Sequence, residues 1–298
     1  MTIDSLEHLS DALADRVQAA SGFVVAIRAG RRGRSGILWR PDVVVTSEQV
    51  LPQGTDFGIV HDGTQIAARV VGRDAGTNVA VLRLAKALGS PSLPAAFAST
   101  RAGSLALVVG ADPRGKPTSR LGMVHATGPE WHSEAGGRIE ALVRLDTRLG
   151  ADEGGPVLTL NSQLIGMSTS GPRRTALAIP AATIERVLEP LLADGHVARG
   201  WLGVGLQHVL VPERFREAAG RDAGMMVIAI AAGCPAEQAG VLPGDIILEV
   251  DGRRTGRARG LAIALTPERI GQPATLKLLR AGEVRLVTVT IGARPVRA

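Results

Sequence analysis

Tyrosine is missing from this 298-residue chain, and aromatic residues together make up only 2% of it. Its cores must therefore be assembled from Val, Leu, Ile and Ala, and stacking of nucleic-acid bases on aromatic side chains has almost nothing to work with. Lysine is confined to Lys86, Lys116 and Lys277, so the 34 basic residues are nearly all Arg. Cys234 is the only cysteine, which excludes an intrachain disulfide. No stretch approaches the run of about 18 apolar residues that a membrane-spanning helix needs. The first twenty residues also lack the basic start and apolar run of a secretory leader. The expectation is a cytoplasmic protein with no membrane partner; a trimmed leader would move that expectation to the periplasm.

What the chain has in quantity is Gly (37) and Pro (17), which favour short strands and tight turns. Residues 4–19 are predicted to form an amphipathic helix, with Asp4 as N-cap and Leu6, Leu9, Leu13 and Val17 on one face. Between Phe23 and Ile179, about twelve short apolar runs separated by turn residues argue for a β-barrel or sandwich rather than an α/β fold. ATIERVLEPLLADGH then has helical spacing, with Ile184, Val187, Leu188, Leu191 and Leu192 on one face and Gly195 as its stop. After Gly200 come further strands and two short helices, one opening at Pro235 and one near 260–265. The net charge of +6 includes two Arg clusters, Arg28/Arg31/Arg32/Arg34 and Arg253/Arg254/Arg257/Arg259. With no interleaved aromatics, they are taken as solvated loop residues rather than a nucleic-acid patch.

A series of short motifs resembles those of HtrA-type serine proteases, in the same order, from about Phe23 onward. Arg34-Ser35-Gly36-Ile37 matches a G-S-G strand opening. In Val45-Thr46-Ser47-Glu48-Gln49-Val50, Gln49 stands where the family has its catalytic His. In Gly72–Leu82, Asn78 stands where it has Asp. In Ala151-Asp152-Glu153-Gly154-Gly155-Pro156-Val157, Glu153 stands where it has the nucleophilic Ser. Gly110–Gly115, Gly122–His125 and Leu177-Ala178-Ile179-Pro180 continue the pattern. The second half resembles a PDZ domain through Arg199–Val204, Gly224–Val227, Cys234–Gly240, Pro243–Ile247 and Asp251-Gly252.

The resemblance implies a mostly β fold: a chymotrypsin-like double barrel followed by a PDZ domain. It implies an N-terminal helix over 1–20, a protease-fold domain over 21–192, a linker over 193–199 and a PDZ domain over 200–298. The triad mechanism needs a hydroxyl, an imidazole and a carboxylate that orients it. Gln49, Asn78 and Glu153 supply none of these in those roles, and loss of nucleophile or base alone costs about a million-fold. Ala151 replaces a Gly in the nucleophile loop, and the stretch from Asp146 to Glu153 is one residue shorter than the family pattern. The expectation is a pseudoprotease, no enzyme, that binds C-terminal or unfolded peptide segments as a scaffold or regulator, with an active HtrA-type protease as a further partner. The alternative is a serine endopeptidase of protein quality control, if the triad is misaligned. The peptide site is expected at the amides of Leu202, Gly203 and Val204, next to Trp201, with Leu202, Val204, Leu261 and Leu265 lining the pocket. Leu202 is expected at the groove mouth. Cys234, where the family has Ser, is expected to weaken a helix cap. No cofactor or metal is expected, the acidic pair Asp152/Glu153 being too small a set, and a homo-oligomer, a trimer, is.

Overall fold

The computed structural model describes residues 3–29, 32–89, 93–94, 100–133, 135–255 and 264–295. The chain forms two units, Met1–Val197 and Ala198–Ala298. The first opens with helix α1 (Ile3–Ala20). Asp4 lies inside this helix rather than capping it, because the helix already runs at Ile3. Leu13 and Val17 pack against the core, while Leu6 and Leu9 remain exposed.

Strands β1 (Val24–Ala29), β2 (Arg32–Arg40), β3 (Val43–Ser47), β4 (Asp56–His61), β5 (Thr64–Asp74) and β6 (Val79–Leu84) close into a barrel in the order β1-β2-β3-β6-β5-β4. β7 (Leu105–Ala111) and β8 (Pro117–Gly128) follow, then the small ribbon of β9 (Trp131–His132) and β10 (Arg138–Ile139). β11 (Leu142–Leu145), β12 (Pro156–Thr159), β13 (Leu164–Ser170) and β14 (Ala176–Pro180) complete a second barrel, ordered β11-β14-β13-β12-β7-β8. Each of the twelve apolar runs read from the sequence is a barrel strand. β3 is the strand richest in β-branched residues, with three Val and a Thr among its five, and it is buried at all of its positions.

Helix α2 (Ala181–Asp194) packs its Ile184, Val187, Leu188 and Leu191 into the core and ends at Gly195, which takes the left-handed φ of 75° expected of a helix stop. A side chain at Gly72 would lie 2.6 Å from the Leu191 carbonyl oxygen, so this glycine lets α2 approach β5. Trp39 donates its indole N–H to Glu185 at 2.8 Å, a second tie between barrel and helix.

Glu140, in the turn before β11, is held by Arg186 Nε at 2.6 Å and by the Thr183 hydroxyl. Burial opposes its ionisation, but these hydrogen bonds and the Arg186 charge outweigh burial, and its carboxyl titrates below the usual value of 4.5. A depressed folded-state pKa gives stability that is present above the unfolded value and is lost as pH falls through the folded one. The first unit is expected to melt at progressively lower temperature as pH drops below about 4.5. Glu140→Gln should remove part of that slope and about 1 kcal/mol at neutral pH. Calorimetry across the acid range checks this, and an unchanged slope in the variant would show that Glu140 is not its source.

The second unit has its own core of Leu202, Met225, Val227, Ile247, Val250, Leu276, Leu278, Val289 and Ile291. β15 (Gly200–Trp201) precedes β16 (Val204–Leu210), α3 (Glu213–Ala219), β17 (Ala223–Ile230), α4 (Pro235–Gln238), β18 (Ile246–Val250), β19 (Arg253–Arg254), β20 (Pro273–Arg280), β21 (Glu283–Thr290) and β22 (Gly292–Ala293). The main sheet is ordered β16-β17-β18-β20-β21, with β19 on β18, while β15 pairs with β22. β16 and β21 are therefore its edges. Of the second short helix expected near 260–265, residues 260–263 lie outside the described residues. Among the described residues no helix is long and apolar enough to cross a membrane.

Candidate functional site

Gln49, Asn78 and Glu153, distant in sequence, meet where the two barrels face each other. Gln49 sits in the 3-10 turn Glu48–Val50 after β3, and Asn78 in the turn that feeds β6. That turn is organised by Asp74, whose carboxylate accepts the Thr77 N–H at 3.0 Å and the Thr77 hydroxyl at 2.7 Å. Asn78 adopts φ 58°, a left-handed conformation that Asn tolerates better than most residues.

Glu153 lies in the loop before β12. Gly154 beside it has φ 93°, and a side chain there would come within 2.3 Å of both the Ser35 carbonyl and the Thr46 hydroxyl. At Gly155 the same atom would meet the Val109 carbonyl at 2.1 Å. The loop is pinned further by the Ser35 hydroxyl donating to the Ala151 carbonyl at 2.7 Å and the Ser168 hydroxyl donating to the Asp152 carbonyl at 2.9 Å. The Glu153 N–H turns inward, to the Gly150 carbonyl at 3.3 Å. Asp152 pairs through Oδ1 with Arg120 at 2.8 Å, while its Oδ2 is buried without a partner.

The side chains form one hydrogen-bonded cluster. Gln49 Nε2 lies 2.8 Å from Glu153 Oε1, 2.9 Å from Thr169 Oγ1 and 2.7 Å from the Ser170 carbonyl. Glu153 Oε1 also accepts the Ser170 N–H at 2.7 Å. Asn78 Nδ2 donates to Thr169 Oγ1 at 2.6 Å, and Asn78 Oδ1 accepts the Gln49 N–H at 2.9 Å. Ser47 Oγ stands 3.0 Å from Thr169 Oγ1. Thr169 and Ser170, at the end of β13, and Ser47 complete the site and were not singled out in the sequence. Gln49 is exposed and Asn78 half-buried, whereas Glu153 and Thr169 are buried. Among the described residues no group of three His, Cys, Asp or Glu side chains converges to hold a metal ion.

In the second unit Leu202 is only 1% exposed and is part of the core, not the groove mouth. Its carbonyl accepts the Ala236 N–H at 2.9 Å, and the Gly203 carbonyl accepts the Ala231 N–H at 2.8 Å. These bonds turn the Leu202 side chain inward and fix the loop. Trp201, Val204 and Leu265 are half-buried against the same core. Leu261 lies outside the described residues. Gly203 has φ 83°, and a side chain there would strike Cys234 Cβ at 2.2 Å. Cys234 does cap α4: its sulfur accepts the Glu237 N–H at 3.4 Å, so the expected weakening is at most partial.

Residues 34–167 match the trypsin-like peptidase domain family and residues 200–291 the PDZ domain family. The chain thus joins a trypsin-like peptidase fold to a PDZ domain. In this order of domains it is similar to proteins named as HtrA-type and DegP-like proteases. A probable periplasmic serine endoprotease DegP-like of Rhizobium meliloti is 29% identical over 281 residues, covering 90% of this chain and 55% of that protein. The protein so named in Chlamydia trachomatis is 28% identical over 274 residues, with 89% and 54% covered. The chain spans about half the length of these curated relatives. The HtrA-type protease AlgW solved with a tripeptide is similar at 26% identity and TM-score 0.72, covering 95% of this chain and 98% of that one. A serine endoprotease from Yersinia pestis shares the fold at TM-score 0.72 and 24% identity, covering 94% and 97%.

Two expectations are corrected by these likenesses. The inference that the chain is no enzyme rested on three residues, whereas the relatives matched over most of it are named serine endoproteases. The cytoplasmic assignment rested on the lack of a leader-like start, whereas the same relatives are named periplasmic.

Proposed function

We propose that this chain is an HtrA-type endopeptidase of protein quality control in the periplasm, which takes exposed C-terminal or unfolded segments on its PDZ domain and cuts them in the cleft between its barrels. The names of the relatives support the reaction and the compartment. The observation that carries the binding half is the edge of β16, which among the described residues has no strand on its outer side and begins at the Trp201–Val204 loop. An extended peptide adds to such an edge as a further strand, and backbone amides at its start receive the terminal carboxylate. Leu202, buried as it is, contributes its backbone; Val204 and Leu265 offer apolar surface to the last side chain.

The test uses the full chain and peptides with an apolar C-terminal residue, with free and amidated ends. Free peptides are expected to bind at about micromolar Kd, and amidation to weaken binding by about one to two orders of magnitude, the value of a charge-assisted hydrogen bond. Equal binding by both would mean that the loop reads no carboxylate. The cutting half is tested on unfolded casein. Capture without cleavage would overturn the cutting half and leave the binding half standing.

The exposed Leu6 and Leu9 of α1, together with Leu105, Leu121 and Met123 on β7 and β8, support a homo-oligomer, a trimer in this reading. Light scattering should show a mass that falls to the monomer in a Leu6→Ser, Leu9→Ser variant; a monomeric wild type at micromolar concentration would end this part of the proposal.

A further inference from the structure

We infer that Gln49 and Glu153 form a hydrolytic dyad in which Glu153 is the general base for a water molecule and Gln49 holds the oxyanion, so that peptide bonds are cut without a covalent intermediate. This rests on the endopeptidase reading and gives it a mechanism. A carboxylate serves as a general base when one oxygen is fixed and the other is free to take a proton in a defined direction. Glu153 meets both conditions. Its Oε1 is fixed by the Ser170 N–H at 2.7 Å and Gln49 Nε2 at 2.8 Å, with the Thr169 hydroxyl at 3.5 Å. Its Oε2 has no protein hydrogen bond among the described residues and is not fully sealed, although Glu153 as a whole is only 9% exposed.

Gln49 has the complementary property. Its two amide hydrogens face three acceptors, Glu153 Oε1, Thr169 Oγ1 and the Ser170 carbonyl. Both hydrogens are engaged, so a new acceptor takes one of them by displacing the Ser170 carbonyl, while the other stays on the cluster. Because Gln49 is exposed, that acceptor can come from a bound peptide. The Ser170 carbonyl, once released, can accept an N–H of the same peptide. Asn78 is a positioning residue: it holds the Gln49 backbone N–H with one end of its amide and Thr169 with the other.

The reaction balances with water as the only co-reactant. Glu153 Oε2 takes a proton from water as the water oxygen bonds to the peptide carbonyl carbon. The carbonyl π pair moves onto its oxygen, where Gln49 Nε2–H receives the charge. The negative charge passes from Glu153 to that oxyanion, so it does not accumulate. When the C=O reforms, the C–N bond breaks and the proton on Glu153 goes to the leaving nitrogen, giving a carboxylic acid and an amine and restoring the carboxylate. The inward-turned Glu153 N–H, bonded to Gly150, takes no part.

The experiment follows cleavage of fluorophore-labelled, reduced casein by the full chain near neutral pH. The expected result is hydrolysis that a serine-directed fluorophosphonate leaves unchanged, with no transfer of the acyl fragment to an added amine. Glu153→Gln should lower the rate about 10²–10⁴-fold and Gln49→Leu about 10²–10³-fold, with free-carboxylate peptide binding kept in both. Cleavage that persists in Glu153→Gln, or is blocked by the fluorophosphonate, overturns the dyad and leaves the endopeptidase reading standing. No cleavage by the wild-type chain overturns both.

Discussion

Replacing Leu202 by Asp is expected to unfold the PDZ domain rather than merely spoil its groove. The side chain is 1% exposed and packs among Met225, Val227, Ile247 and Ile291. Removing a buried leucine costs about 2–5 kcal/mol. An unpaired carboxylate in its place adds several kcal/mol more, because nothing there neutralises it. The sum reaches the whole stability of an ordinary domain, about 5–15 kcal/mol. Limited trypsin digestion of the full chain should therefore release the arginine-rich second half as small fragments while the first unit stays protected. A protected fragment from about residue 198 onward in the variant would show that the side chain does not lie in the core. For probing the groove, Val204→Asp is the more useful change, since Val204 is half-buried at the start of β16.

Gly154→Ala should have a comparable effect on the first unit. The position combines φ 93° with two oxygens 2.3 Å from the atom a side chain would add, one of them backbone. The loop would have to give up its bonds to Ser35 and Ser168 to relax. A loss of about 3 kcal/mol or more is expected, or roughly 10 °C in the melting temperature of that unit. Gly63→Ala is the matched control: it has φ 75° but nothing within 4 Å. It should cost only about 1 kcal/mol of backbone strain, so the difference isolates the close contact. Equal melting temperatures for the two variants would mean that the nucleophile loop has room to move.

What the sequence made legible, and what it hid, follows from how far each determinant reaches. The barrel strands are local patterns, and Val43–Ser47 or Val79–Leu84 declare themselves by composition alone. Helix α3 went unread because it is a single short segment, Glu213–Ala219, with too few turns to show a period. The motifs named Gln49, Asn78 and Glu153, but not Thr169, which touches all three from a strand with no motif of its own. Leu202 was misjudged for a related reason: the loop motif identifies its backbone, while the direction of its side chain is set by the Leu202 and Gly203 carbonyls bonding to Ala236 and Ala231, about thirty residues away.

The two ends of the PDZ sheet are guarded very differently. β21 carries Glu283 and Arg285, paired at 3.1 Å, and charges of this kind discourage another chain from adding on. β16, from Val204 to Leu210, holds no Asp, Glu, Lys or Arg, and ends on a Leu210 that is 68% exposed. The edge left open for a ligand is thus also the point where concentrated, ligand-free protein is most prone to associate strand by strand. Solubility and peptide occupancy become linked: a saturating peptide should raise the concentration at which the protein stays clear, by covering the uncharged β16 edge.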